Sequence, residues 1–177
     1  MERQTQQIIE ACKRGSRKGQ LTLYQLHARR LYNACLRILG NREEAEEAMQ
    51  DSFLKIFTRL HQYQPGQSFE AWMQRVAIHT AIDTLRRRDK EMEELSQHLA
   101  EPEPEEDNEE MINHSVARVK EAIAKLSSGY RVVLSLYLFE GYDMEEIATI
   151  LQVKPASVRS QYLRAKRKVH EILDKKE

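Results

Sequence analysis

Five cations, Arg159, Arg164, Lys166, Arg167 and Lys168, fall close together near the C-terminus. They are too many for the inward face of one amphipathic helix, so most must project outward. Guanidinium and ammonium groups placed that way meet phosphates or guanine edges, and a good base contact is worth about 1 to 3 kcal/mol of discrimination. On charge alone the same residues read as a solvated helix face. What precedes them favours DNA: Asp143-Met144-Glu145-Glu146 has a capping residue followed three positions later by Glu, and Ile147, Ala148, Ile150 and Leu151 then mark a short amphipathic helix. Val153-Lys154 predicts a tight connection and Pro155 the first turn of a second helix, with Val158 and Leu163 facing inward. A capped short helix, a turn and a basic helix make a helix-turn-helix, which lays its second helix in a major groove. Gln152 stands where many such motifs have glycine.

No other residue set points to chemistry. The sequence has no glycine-rich phosphate loop, nucleophile motif or metal-ligand cluster. Cys12 and Cys35 are far apart and read as reduced helix residues, and His27, His61, His98, His114 and His170 are scattered. The expectation is a protein that is not an enzyme and takes no cofactor or metal.

Charged residues make up 32% of the 177-residue chain, and glycine (6) and proline (4) are scarce, which suits helices with solvated faces. The net charge of zero hides a division: residues 1–90 carry 16 Lys/Arg against 10 Asp/Glu, residues 91–115 carry 10 acids and no base, and residues 116–177 carry 12 against 8. Two basic ends joined by an acidic bridge suit a nucleic-acid partner, because phosphates attract only the ends.

Apolar spacing predicts a helix from about Thr5 to Arg14 and another from about Leu21 to Leu39, the latter burying Leu23, Leu26, Leu31, Ala34, Cys35 and Ile38. Gly40 ends it and Asn41 caps a third, whose stripe is Ala45, Ala48, Met49, Ser52, Phe53, Ile56 and Leu60, leaving Glu47, Asp51 and Lys55 outside. Pro65-Gly66 breaks the chain before a fourth, with Trp72, Val76, Ala77, Ala81 and Leu85 on its apolar face. Helical spacing resumes at Val116, Val119, Ile123 and Leu126 and continues through Val132–Leu138 to Gly141. The predicted fold is all-α: two small helical domains, 1–90 and 116–177, joined by an acidic flexible linker, 91–115, that contains Pro102 and Pro104. Fully stretched, that linker reaches about 80 to 90 Å. The N-terminus lacks a basic start followed by an apolar run, and no stretch approaches a membrane span, so a cytoplasmic protein without membrane insertion is expected.

Two stretches carry a family resemblance. Residues 36–57, LRILGNREEAEEAMQDSFLKIF, and residues 68–88, SFEAWMQRVAIHTAIDTLRRR, resemble region two of the extracytoplasmic-function (ECF) RNA polymerase sigma factors, and Leu126-Ser127 with Val158–Ala165 resembles region four. The resemblance implies a region-two helical bundle that grips core RNA polymerase through the β′ clamp helices and reads minus-10 DNA, and a region-four helix-turn-helix that meets the β flap and reads the minus-35 element. It assigns Gln50, Asp51 and Lys55 to the polymerase. It places a captured minus-10 base at the loop 62–68, hence Tyr63, Gln64 and Ser68, with His79 on the following helix. It gives minus-35 contacts to Arg159, Ser160, Leu163 and Arg164, extended along the helix to Arg167. Phe69 and Trp72 at their spacing are more often core, which leaves Tyr63 as the better base-stacking ring.

The family commonly has Asn at the position of His79, Arg at Gln161 and Phe at Leu163, departures that imply an altered promoter preference. It also implies promoter DNA and an anti-sigma protein as partners. The acidic linker then reads either as a nucleic-acid mimic in the polymerase RNA channel or as a solubilising spacer. The main alternative is a stand-alone helix-turn-helix transcriptional regulator, which gives no reason for the Gln50-Asp51 helix.

Overall fold

The computed structural model describes residues 2–64, 66, 68–95 and 116–174, and every regular element among them is helical. The chain divides into two compact units, Met1–Leu85 and Arg86–Glu177. The first contains α1 (Glu2–Lys13), α2 (Arg17–Leu39), α3 (Arg42–Arg59), a single 3-10 turn (Leu60–Gln62) and most of α4 (Phe69–Leu95). The second contains α5 (Val116–Ala124), α6 (Ser128–Leu138), α7 (Met144–Leu151) and α8 (Pro155–Asp174).

Local chemistry sets the element ends in the first unit. Ser16 Oγ accepts the Gly19 N–H at 3.2 Å, so α2 starts at Arg17, earlier than the apolar spacing from Leu21 predicts. Gly19 lies against α1, and a β-carbon there would meet the Ala11 Cβ at 2.9 Å, so the absent side chain sets how closely the two helices approach. Gly40, at φ 69°, ends α2 by donating its N–H to the Leu36 carbonyl, and Asn41 Oδ1 then accepts from Glu43 and Glu44 N–H at 2.9 and 3.1 Å to open α3.

The α3 stripe packs as its spacing predicts, with Ala45, Ala48, Met49, Ser52, Phe53 and Ile56 buried. Two other faces are rotated from expectation. Leu26 is 62% exposed, because Leu23, Ala34 and Ile38 fix the inward side of α2 and residue 26 falls about a quarter turn from that line. On α4 the buried apolar residues are Phe69, Met73, Ala77, Ile78, Ala81, Ile82 and Leu85, which leaves Trp72 and Val76 at the half-buried edge. Helix α4 also runs to Leu95, past the expected domain end at residue 90; the rest of the expected linker, 96–115, lies outside the described residues.

In the second unit α5, α6 and α8 close on a core of Ala122, Ile123, Leu126, Leu134, Ala165, Val169 and Leu173. Arg131 of α6 is buried and donates from Nη1 to the Leu126 carbonyl at 2.9 Å, placing a cation against carbonyls just beyond the C-terminal end of α5. These helices hold α7 and α8 as a pair, with Ile147, Ala148 and Val158 buried where the two meet.

Candidate nucleic-acid interface

Helix α7 opens with a complete capping box. Asp143 Oδ1 accepts from Glu145 and Glu146 N–H at 2.9 and 2.8 Å, and Glu146 Oε2 accepts the Asp143 N–H at 2.9 Å. It closes on Gln152 at φ 58° and ψ 40°, the left-handed conformation that favours glycine, with the Val153 N–H returned to the Ala148 carbonyl at 3.0 Å. Pro155 then begins α8. The turn at Gln152 aims α8 across α7, which is the docking geometry of a recognition helix.

On α8 the buried positions Val158, Ala165, Val169 and Leu173 define the inner side. Arg159, Ser160 and Leu163 lie outward, and Arg164 and Arg167 are half-buried along the flanks. Leu163 is 51% exposed, which corrects the expectation that it faces inward with Val158: one residue of α8 turns the chain by about 100°, and Ala165 and Val169 fix the core line elsewhere. Arg159 Nη2 donates to Glu145 Oε1 of α7 at 2.5 Å, so the outermost guanidinium is held by the first helix of the motif. Glu145 is missed by sequence reasoning; its signal is an acid in the first turn of α7, two residues after the Asp143 cap.

In the first unit Gln50 and Asp51 are exposed on α3, and Leu54, 64% exposed, shares their stripe. Leu54 is the residue sequence reasoning missed; its signal is an apolar side chain that falls off the helix's apolar stripe. Lys55 stands apart from these three. Its Nζ donates to Thr80 Oγ1 of α4 at 3.1 Å, and Thr80 is buried with its hydroxyl bonded to the Val76 carbonyl, so Lys55 ties α3 to α4.

The loop before α4 departs from expectation at Tyr63. Its ring is 8% exposed and packs edge-on against Phe69, with centroids 4.9 Å apart, and against Trp72 at 5.8 Å. Tyr63 is therefore not the open stacking ring of the loop; it completes an aromatic cluster with two rings of the helix that follows. Gln64 is exposed, and Ser68 caps α4, its Oγ accepting the Ala71 N–H at 3.2 Å and donating to Glu70 Oε2. His79 is exposed on α4, one turn beyond exposed Arg75, which extends the polar stripe toward the loop.

Two titratable groups are displaced. Burial lowers the His27 imidazole below its ordinary value, opposed by the Glu70 carboxylate and reinforced by the Arg30 cation. Burial raises the Cys12 thiol, which keeps it protonated. Cys35 is also buried, its Sγ 3.8 Å from the Ala77 carbonyl.

Family models match both halves. Residues 23–91 match Sigma-70 region 2 and residues 117–169 match Sigma-70 region 4. The chain belongs to the ECF RNA polymerase sigma factors. It is similar to the ECF sigma factor SigE of Mycolicibacterium smegmatis, 33% identical over 86% of this chain, an alignment that spans 61% of that longer relative. It is 28% identical to the sigma-H factor of Pseudomonas aeruginosa and 24% identical to SigW of Bacillus subtilis, covering 94% and 95% of those proteins.

Among solved structures, the fold is shared with the sigma factor RpoE of Bartonella quintana in complex with the anti-sigma factor NepR (TM-score 0.57, 19% identity, 86% of this chain and 95% of that one). It is also shared with CnrH in complex with the cytosolic domain of CnrY (TM-score 0.55, 22% identity, 96% and 97%). A stand-alone helix-turn-helix regulator leaves the region-two match without a reason. Among the described residues of this sigma factor no helix is long and apolar enough to cross a membrane.

Proposed function

We propose that the first unit docks on core RNA polymerase through the α3 ridge of Gln50, Asp51 and Leu54, and that α8 of the second unit reads the minus-35 element. The observation that carries this reading is the division of labour between units: an exposed apolar side chain ringed by polar ones on α3, and a capped helix-turn-helix with an outward cationic helix on the other. A central leucine with a polar rim is the anatomy of a protein contact. Outward Arg159, Ser160 and Leu163, with Arg164 and Arg167 along the flanks, supply phosphate donors, base-edge donors and an apolar group for a thymine methyl. Lys55 supports the ridge by fixing α3 on α4.

For minus-10 DNA the proposed surface is Gln64, the Ser68 cap and the Arg75–His79 stripe of α4, with Tyr63 holding the loop in place. Capturing bases there offsets part of the cost of opening the duplex, a few kcal/mol per extruded base. The reaction chemistry belongs to the polymerase, and the cytoplasm is the proposed location of both. Because a protein of the same fold was solved with an anti-sigma factor, an anti-sigma protein is the proposed regulator.

The test is equilibrium binding of the full chain to core polymerase, followed by binding of the complex to promoter DNA. Asp51→Arg is expected to weaken the first step only and Arg159→Ala the second only. A chain that binds duplex DNA alone but never core polymerase contradicts the proposal.

A further inference from the structure

Between Glu10 and Glu43 the chain has no acidic residue but eight Lys or Arg. Lys13 is bound to Glu10 at 3.3 Å. Arg14, Arg17, Lys18, Arg29 and Arg30 are exposed, and none forms an ion pair with a carboxylate among the described residues. Lys18, Gln25, Arg29 and Asn33 recur at helical spacing and are exposed or outward-facing, opposite the buried Leu23, Leu31, Ala34 and Ile38.

Fold stability does not explain this placement. Arg17 and Lys18 open α2, whose first turn has no acidic residue, so two cations sit at the positive end of the helix dipole. Five exposed cations without carboxylate partners also repel one another. A polyanion lying along the stripe lowers both costs at Lys18 and Arg29.

We infer that the outer face of α2, with Arg14 at its entrance, is a second DNA contact that binds the sugar-phosphate backbone of promoter DNA without reading sequence. This rests on the reading above that the chain carries promoter DNA. Lys18 and Arg29 are about 16 Å apart along the axis, the rise of about five base pairs. The intervening Gln25 is an uncharged hydrogen-bonding residue of the type that meets phosphate and sugar, and the exposed leucines beside the stripe, Leu21 and Leu26, fall on its opposite flanks, about 140° apart around the helix, so they do not form the central cluster that a protein contact needs.

The test compares polymerase holoenzyme reconstituted with the wild-type chain or with the Lys18→Gln/Arg29→Gln double variant, measuring promoter-fragment affinity from 50 to 200 mM salt. Losing two phosphate contacts is expected to lower the slope of log affinity against log salt by about 1.4 to 1.8. Start sites and core-polymerase affinity are expected to stay unchanged, and the melting temperature to hold or rise slightly as the repulsion is relieved. An unchanged slope, with the wild type binding its promoter normally, overturns the inference while leaving the proposed function standing. Loss of core-polymerase affinity in the double variant also overturns it, since the face is then a protein contact. If the wild-type holoenzyme binds no promoter, the functional reading and this inference fall together.

Discussion

Arg159 and Glu145 join the two helices of the helix-turn-helix, guanidinium to carboxylate at 2.5 Å, with more than half of each side chain open to solvent. An ion pair that exposed contributes at most about 1 kcal/mol to the fold. Its interest lies in what it does to Arg159, which is held near one position and partly neutralised until DNA arrives.

Arg159→Ala is therefore expected to leave the melting temperature nearly unchanged. It should cost about 1 to 3 kcal/mol of discrimination at one minus-35 position. Holoenzyme binding to a promoter series with single minus-35 substitutions reads the loss. A uniform loss across the series would instead mark Arg159 as a phosphate contact.

Tyr63, Phe69 and Trp72 form one cluster, with Phe69 and Trp72 rings stacked at 5.8 Å and Tyr63 edge-on to Phe69. Tyr63→Ala is expected to destabilise the first unit by about 3 kcal/mol, in the range of large aromatic truncations. Tyr63→Phe, which keeps the ring, should retain most of that stability and leave promoter opening close to wild type. Chemical denaturation and permanganate footprinting of the opened strand measure the two.

Gln152 is the one non-glycine residue with positive φ among the described residues. Gln152→Gly is expected to stabilise the second unit by up to about 1 kcal/mol, the strain of a side chain in the left-handed region less the extra freedom glycine has when unfolded. A urea midpoint that moves down would contradict this.

His27 gives the first unit a pH dependence. Its folded pKa lies below the ordinary histidine value because burial disfavours the cation, so the unfolded chain binds the proton more readily. The contribution is fully present above the ordinary value of 6.5 and is lost as pH falls from there through the depressed folded pKa. Denaturation between pH 7.5 and 5 should show falling stability, and His27→Gln should flatten that trend.

Helix ends were legible because their chemistry is local: Gly40, Asn41 and the Asp143/Glu146 box act on backbone groups within four residues. The helix-turn-helix was legible for the same reason. The exposure of Leu26 and Leu163 is not legible in the sequence, because which side of a helix is buried depends on where its neighbours lie, and two or three apolar residues fit more than one line. By spacing Tyr63 belongs to an open loop, because nothing local says that the 3-10 turn Leu60–Gln62 folds the ring back onto α4. Lys55 falls on the outer polar side by helix spacing, and its bond to Thr80 spans 25 residues, beyond any local pattern.

The most direct measurement is transcription in vitro from a genomic template with core polymerase alone and with this chain added, followed by mapping of RNA 5′ ends. A new set of start sites is expected to appear with the wild-type chain, to vanish with Asp51→Arg, and to weaken with Arg159→Ala. Identical start sites with and without the chain would contradict the assignment of both units.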